Sequence, residues 1–376
     1  MSDKNYKWID DAWESVVNKV KKTSKTIGSN FPSMTNEGKY ALASEKDYWR
    51  WTTAFWPGIM WLLYENTKEE EFKEIAVSCE VKLDKPLSEY IRLHHDVGFM
   101  WTLTAVKHYE LFNNDESRTR ALTAASHLCS RFNLKGNYIR AWNDRVNEST
   151  SGLAIIDCMM NLPLLYWASE QLNDPRFKHI AMAHADMVLE EFIREDGSVN
   201  HMVEFDPETG QKIRVLGGQG YSPESGWSRG TSWALYGLAL SYRYTKEKRY
   251  LKAAKKVAHF FVANLPEDYV AYWDFRAPVE QDMPRDSSAS ACAACGLFEI
   301  SELVLENEKN AYYQAGLKIV KSLYQNYGNW DNDGQEGLIG GGTFNYPIKK
   351  GINISLIYGD YYFVEALTRL KKKIKK

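Results

Sequence analysis

Apolar residues recur along this chain at the three-and-four spacing of an α-helix, as in Leu153, Ile156, Met160, Leu164 and Trp167, while alternating, strand-like stretches are few and short. Start and stop signals divide the pattern into twelve predicted helices, at 6–26, 51–64, 69–84, 96–111, 116–132, 155–171, 175–194, 229–244, 248–264, 286–304, 309–327 and 358–372. The helices alternate in character. Those such as 155–171 and 229–244 are apolar nearly all round, and partners such as 248–264 carry a charged face, as expected of a buried inner set wrapped by an amphipathic outer set. Short charged links, including TKEEE, FNNDES, QLNDPRF, TKEKRY and ENEKN, suit antiparallel neighbours. The architecture this implies is an all-α, (α/α)6 barrel of six inner and six outer helices, with residues 1–376 forming one domain that no linker divides. Longer segments precede the inner helices, for example NYIRAWNDRVNESTSG and RVLGGQGYSPESGWSRG, and they carry much of the Gly, Trp and acidic content. They should gather at one barrel end, where loops on a rigid scaffold build sites.

Composition narrows the function classes. With 44% hydrophobic and 26% charged residues the chain is globular, not disordered or fibrous. A formal net charge of −2 provides no overall positive field for phosphate backbones, so nucleic acid is not an expected partner. The longest apolar block, near Phe55 to Tyr64, is too short to span a bilayer, and no membrane partner is expected. The N-terminus, MSDKNYKWID, has no basic stretch leading into an apolar run. Five cysteines, Cys79, Cys129, Cys158, Cys292 and Cys295, fall within helical segments and not in a small stapled scaffold, which points to a reducing compartment and a cytoplasmic protein. The 13 Trp and 23 Tyr suit either a large aromatic core or the apolar faces of sugar rings in a wet cleft.

Three segments carry candidate chemistry. In HHDVGFMW, His94, His95 and Asp96 stand at the start of an inner helix, where Asp96 is either a functional carboxylate or an N-cap. In AIIDCMMNLPLLYWA, Asp157 sits among Ile155, Ile156, Cys158 and Met159; a carboxylate in such company must be paired or kept protonated. A raised pKa suits a general acid, with capping or bonding to an inner-ring neighbour as the structural alternative. In GWSRGTSWALYG, Arg229 between Trp227 and Trp233 offers stacking for a sugar and a fork for a carboxylate, or an Arg stacked in a core interface. The Cys292/Cys295 pair reads as small residues at a close helix contact. No HExxH, second Cys pair or phosphate loop occurs, so neither a metal nor a nucleotide cofactor is expected.

Taken together, WRWTTAFWPGIMWLLYE, LHHDVGF, IIDCMMNLPLLYWA, GWSRGTSWALYGLAL, YWDF, RDSSASACAACGL and GDYYFVEALTRL resemble the unsaturated glucuronyl hydrolases of glycoside hydrolase family 88, over nearly the whole chain. The resemblance implies the same barrel. It implies a substrate left by a polysaccharide lyase, an oligosaccharide whose nonreducing end is a 4,5-unsaturated uronic acid, of glycosaminoglycan type such as chondroitin or hyaluronan disaccharides. Asp157 would protonate C4 and activate the water that adds at C5, and Asp96 would orient substrate or its partner carboxylate. The resemblance also places Trp51, His95, Trp142, His201, Gln219, Trp227, Arg229 and Trp233 in the pocket. Some relatives read a sulfated sugar with Ser-x-x-Ser-x-Lys; here Lys350 fits, but Asn345 and Ile348 stand in the serine places. Rival readings are an unsaturated rhamnogalacturonyl hydrolase, a sugar epimerase on the same barrel and a noncatalytic sugar-binding protein.

Overall fold

The computed structural model describes residues 6–144, 146, 149–279 and 281–374. All twelve expected helical segments are present, most with ends shifted by only a few residues. The inner ring consists of Phe55–Thr67, the run 97–112, the run 156–172, Ser228–Thr245, Ser287–Leu303 and Ile357–Ile374; each packs on the next, and the last packs on the first, closing the ring. The outer ring is Lys7–Ile27, Glu70–Lys82, Asp115–Ser130, Pro175–Glu191, Lys248–Ala263 and Glu306–Tyr327.

The two rings differ for the reason legible in their composition. Every residue from Ser287 to Ser301 is buried, as is every residue from Ser228 to Ala239. The outer helix Lys248–Ala263 instead buries one stripe, Tyr250, Ala254, Val257, Ala258 and Phe261, and leaves Lys248, Lys252 and Lys256 in water. Close approach within the inner ring depends on missing side chains. A Cβ on Gly237 would lie 2.6 Å from Met159 Cβ, and one on Gly98 would lie 2.3 Å from Asn161 Cα.

One predicted helix begins differently. The segment expected to be helical from 155 opens as a strand, Leu153–Ile155, continues as a tight 3₁₀ turn, Ile156–Met160, and becomes α-helical only at Leu162. Its first amides and carbonyls are taken by the antiparallel strand Met202–Phe205, with Ile155 opposite Met202. Pro163, at the head of the α-helix, has no N–H to bond back into a preceding turn. The third strand of this sheet is Lys212–Leu216. Among the described residues the other sheets are three hairpins: Pro32–Asn36 with Lys39–Leu42, Phe132–Asn133 with Tyr138–Ile139, and Gly342–Asn345 with Lys350–Ile354. All four small sheets lie in connections that precede an inner helix, so they collect at the barrel end where the inner helices start. Among the described residues no helix is long and apolar enough to cross a membrane.

Candidate active site

Sheet register puts two of the expected residues side by side. Because Leu153–Ile155 pairs antiparallel with Met202–Phe205, the chain leaving the first strand runs beside the chain entering the second, and Ile156 N–H donates to the His201 carbonyl at 3.0 Å. Asp157 Oδ1 then lies 3.8 Å from His201 Nε2. Both atoms are buried and neither has a hydrogen-bond partner within the protein. The Gln219 amide donates to His201 Nδ1 at 2.9 Å, and the Gly217 carbonyl stands 3.1 Å from the same nitrogen. An amide can only donate, so this shorter contact puts the ring proton on Nε2, facing Asp157. Burial holds His201 down at about 3, and therefore neutral, and pushes Asp157 up to about 6 despite the opposing charge of Arg229.

Asp96 occupies the first position of its helix without capping it: its side chain makes no bond to the helix amides. The cap comes from the neighbouring inner helix. Asn161 Oδ1 accepts from Phe99 N–H at 2.7 Å, and Asn161 Nδ2 donates to Asp96 Oδ1 at 3.2 Å and to the Asp157 carbonyl at 3.4 Å. One asparagine thus satisfies the helix end, releases the aspartate from that task and ties the two acidic segments together. Asp96 turns instead toward two imidazoles, His95 Nε2 at 3.3 Å and His94 Nδ1 at 3.5 Å. Burial, and then the charge of Asp157, push Asp96 up to about 8. Burial also holds both histidines below their usual range, so this cluster is a neutral carboxyl beside neutral rings near pH 7. His94, His95 and Asp96 bring three donor atoms within 4.8 Å of one another, a spacing that could also hold a metal ion.

Arg229 is 2% exposed, and its guanidinium is engaged on several sides. Nη1 pairs with the fully buried Asp286 and donates to the Thr343 carbonyl at 2.7 Å; Nη2 donates to Gln219 Oε1 at 2.9 Å and the Phe344 carbonyl at 2.7 Å. It stacks on Trp227 at 4.6 Å and on Tyr358 at 5.3 Å, whereas Trp233 faces Phe99 and Tyr362. Most of its fork is therefore spent on the hairpin Gly342–Asn345/Lys350–Ile354 and on Gln219, which it fixes in place. Trp51 is half-buried and stacks on Tyr358 at 4.8 Å; Trp142 is half-buried against the small cluster of Ala141, Leu153, Ile155 and Met202. Trp227 and Trp233 are buried, with Trp227 4.2 Å from the His201 ring. Lys350 is exposed at the end of the hairpin, its ammonium 5.6 Å from the Phe344 ring; Ile348 is exposed, and Asn345 Oδ1 is buried without a partner.

Asn161, Asp286, Asp274 and Tyr358 complete this arrangement and were not singled out from sequence. Asp286 caps its own helix at Ser288 N–H (3.1 Å) while pairing with Arg229. Asp274, fully buried, accepts from the amides of Tyr221 (3.0 Å), Gly226 (3.3 Å), Arg276 (2.8 Å) and Ala277 (3.2 Å), and so shapes the loop leading to Trp227. All four lie inside or beside the quoted motifs, but their partners are distant in sequence, the one signal a single chain does not display.

Comparison with known proteins gives the family and the fold. The chain matches Glycosyl Hydrolase Family 88 over residues 21–373. It is 39% identical to an unsaturated glucuronyl hydrolase of Bacillus sp. (strain GL1), over 93% of each chain. It is 34% identical to an unsaturated chondroitin disaccharide hydrolase of Streptococcus pyogenes serotype M1, over 97% of this chain and 91% of that one. The solved structure of an unsaturated glucuronyl hydrolase from Bacillus sp. GL1, responsible for degradation of glycosaminoglycan, superposes with a TM-score of 0.92 at 37% identity over 97% of both chains.

Proposed function

The chain belongs to glycoside hydrolase family 88, and from that premise we propose which of its residues perform the reaction and on what. Its activity is that of an unsaturated glucuronyl hydrolase: it releases the 4,5-unsaturated uronic acid from the nonreducing end of lyase-generated oligosaccharides. Disaccharides of chondroitin or hyaluronan type are the substrate class, supported by relatives named for chondroitin disaccharides and glycosaminoglycan.

The observation that carries the assignment is a half-buried carboxyl whose buried oxygen, Asp157 Oδ1, has no partner within the protein and faces an unpartnered imidazole nitrogen across 3.8 Å. The C4=C5 bond is part of a vinyl ether. Protonation at C4 by Asp157 leaves positive charge at C5 that the ring oxygen shares. Water, deprotonated by the Asp157 carboxylate and oriented by His201, adds at C5. The resulting hemiketal opens to a ketone at C5 and a hemiacetal at C1, and the latter expels the remaining sugar. Displacement at C1 by paired carboxylates is not involved, so their spacing sets no stereochemical outcome. An arriving anionic uronate adds like charge and excludes water, and both effects push Asp157 further up, toward the protonated form the first step needs. Asp96, linked to Asp157 through Asn161 and backed by His95, holds substrate and limits the negative charge beside Asp157.

Trp51 and Trp142, the half-buried indoles, supply stacking surface; Trp227 and Trp233 back the pocket wall. Gln219 and His201 supply polar contacts, and Arg229 holds Gln219 and the hairpin that carries Lys350, the residue available to a sulfate. The closed ring supports residues 1–376 acting as one catalytic domain, and the five free thiols support a reducing, cytoplasmic setting. Screening unsaturated disaccharides from chondroitin, hyaluronan, heparin and gellan beside an unsaturated rhamnogalacturonan fragment tests the substrate class. Turnover confined to the rhamnogalacturonan fragment would overturn it.

A further inference from the structure

A cavity of about 290 Å³ lies beside the segment that leads into Asp96, lined among others by Tyr90, His127, Arg131, Asn133, Arg140 and Asn143. Its polar groups are unusually placed. His127 is 5% exposed, and burial draws it down to about 4, so the neutral ring carries a single N–H, which leans on the Leu93 carbonyl without a well-formed hydrogen bond; Arg140 Nε is buried and unpartnered. Buried donors normally find acceptors, so two under-satisfied N–H groups on one cavity wall mark a place for a ligand that accepts.

The charge has the same sign. Arg131 donates only to neutral acceptors: the carbonyls of Arg140 (2.9 Å), Leu93 (3.5 Å), Ala141 (3.2 Å) and Trp142 (3.0 Å), and Asn143 Oδ1 (2.8 Å). Among the described residues Arg140 pairs with one carboxylate, Asp144, which is more than half exposed and so screened by water. Two guanidiniums thus face this cavity against a single weak counter-charge among the described residues. Burial, and then the charge of Arg140, draws Arg131 down to about 10.

We propose that this cavity is an oxyanion site, taking a tetrahedral sulfate or phosphate group on Arg140 Nε and His127 within the field of Arg131. A tetrahedral oxyanion presents acceptors in several directions and forms charge-assisted bonds with guanidinium, matching the unmatched donors in kind. Neither Lys350 nor Asp157 lines the cavity. It adjoins the active site through Arg131, which holds the Leu93 carbonyl just before His94 and the Ala141 carbonyl, to which His95 N–H also donates at 3.1 Å.

Calorimetric titration of sodium sulfate into the full-length enzyme, at constant ionic strength in chloride, tests this directly. One saturable site is expected, weakened at least tenfold in Arg140→Gln and in His127→Gln and changed less than threefold in Lys350→Gln. Absence of saturable binding, or binding lost in Lys350→Gln and kept in Arg140→Gln, overturns the proposal. Should a variant fail to fold, anomalous scattering from selenate soaked into wild-type crystals decides: a peak between His127 and Arg140 supports the site, and a peak elsewhere or none refutes it. Repeating the soak with a 6-O-sulfated disaccharide separates the sources, since a free-ion site keeps its selenate and a site for sugar sulfate loses it.

Discussion

Replacing Asp96 with asparagine should make the protein more stable as the pH rises, even as it lowers activity strongly. Folding carries this carboxyl from its ordinary 3.8 up to about 8, chiefly by burial. Between those values the folded chain keeps a proton that the unfolded chain releases, so stability is greatest below the lower value and declines until pH passes the higher one. The slope for one such group is about 1.4 kcal/mol per pH unit, or roughly 4 kcal/mol between about pH 5 and pH 8. Asparagine does not titrate, keeps an oxygen for Asn161 Nδ2 and offers an N–H to His94 Nδ1, so the variant escapes that decline. For 376 residues the unfolding entropy is about 0.8 kcal/mol/K, and the gap corresponds to about 5 °C in Tm. Scanning calorimetry of both proteins across the pH range should therefore show midpoints that are close at pH 5 and separate by several degrees by pH 8, the variant higher. A separation that is the same at every pH would mean Asp96 titrates like a solvated carboxylate, and the argument from burial would fail.

Since Asp157 must be protonated to act and is held at about 6, kcat/KM on an unsaturated disaccharide should fall about tenfold per pH unit above that value; a rate that stays flat from pH 6 to pH 8 would exclude it as the acid. Gly98→Ala sets a methyl 2.3 Å from Asn161 Cα, and should cost about 1–3 kcal/mol in stability and lower kcat by displacing the Asn161 bridge; normal turnover in a folded variant would show that the bridge does not position the acids. Ile348 cannot donate to a sulfate oxygen through its side chain, so the ratio of kcat/KM for 6-O-sulfated over unsulfated chondroitin disaccharide should stay below about tenfold, or 1.4 kcal/mol; a larger preference would assign the sulfate to other residues.

The inner and outer rings could be read from sequence because an all-buried helix and a half-buried one differ in composition at every turn, as Ser287–Leu303 and Lys248–Ala263 do. Asp157 was conspicuous because four apolar neighbours surround it. What stayed hidden were interactions between segments far apart in sequence. The choice between cap and functional group at Asp96 could not be made locally, since the cap is supplied by Asn161, 65 residues on. For Arg229 the sequence leaves open a fork for a carboxylate or an Arg stacked in a core interface, because nothing nearby announces that Asp286 and the carbonyls of Thr343 and Phe344 occupy it. The helix expected from 155 takes in the last strand residue, Ile155, for the same reason: apolar spacing there fits either state, and the partner that decides is Met202–Phe205.

Hydration of the C4=C5 bond by Asp157 ties two signals together in a single reaction. Ultraviolet absorbance of the unsaturated acid and release of reducing sugar are followed together, at saturating chondroitin disaccharide, for the enzyme and for Asp157→Asn. The two signals should move in step for the enzyme, with a saturated glucuronide inert. The variant should bind substrate but lose about 10² to 10⁴ in rate. Sugar release with the absorbance retained, or a variant keeping more than about a tenth of the activity, would contradict that role of Asp157.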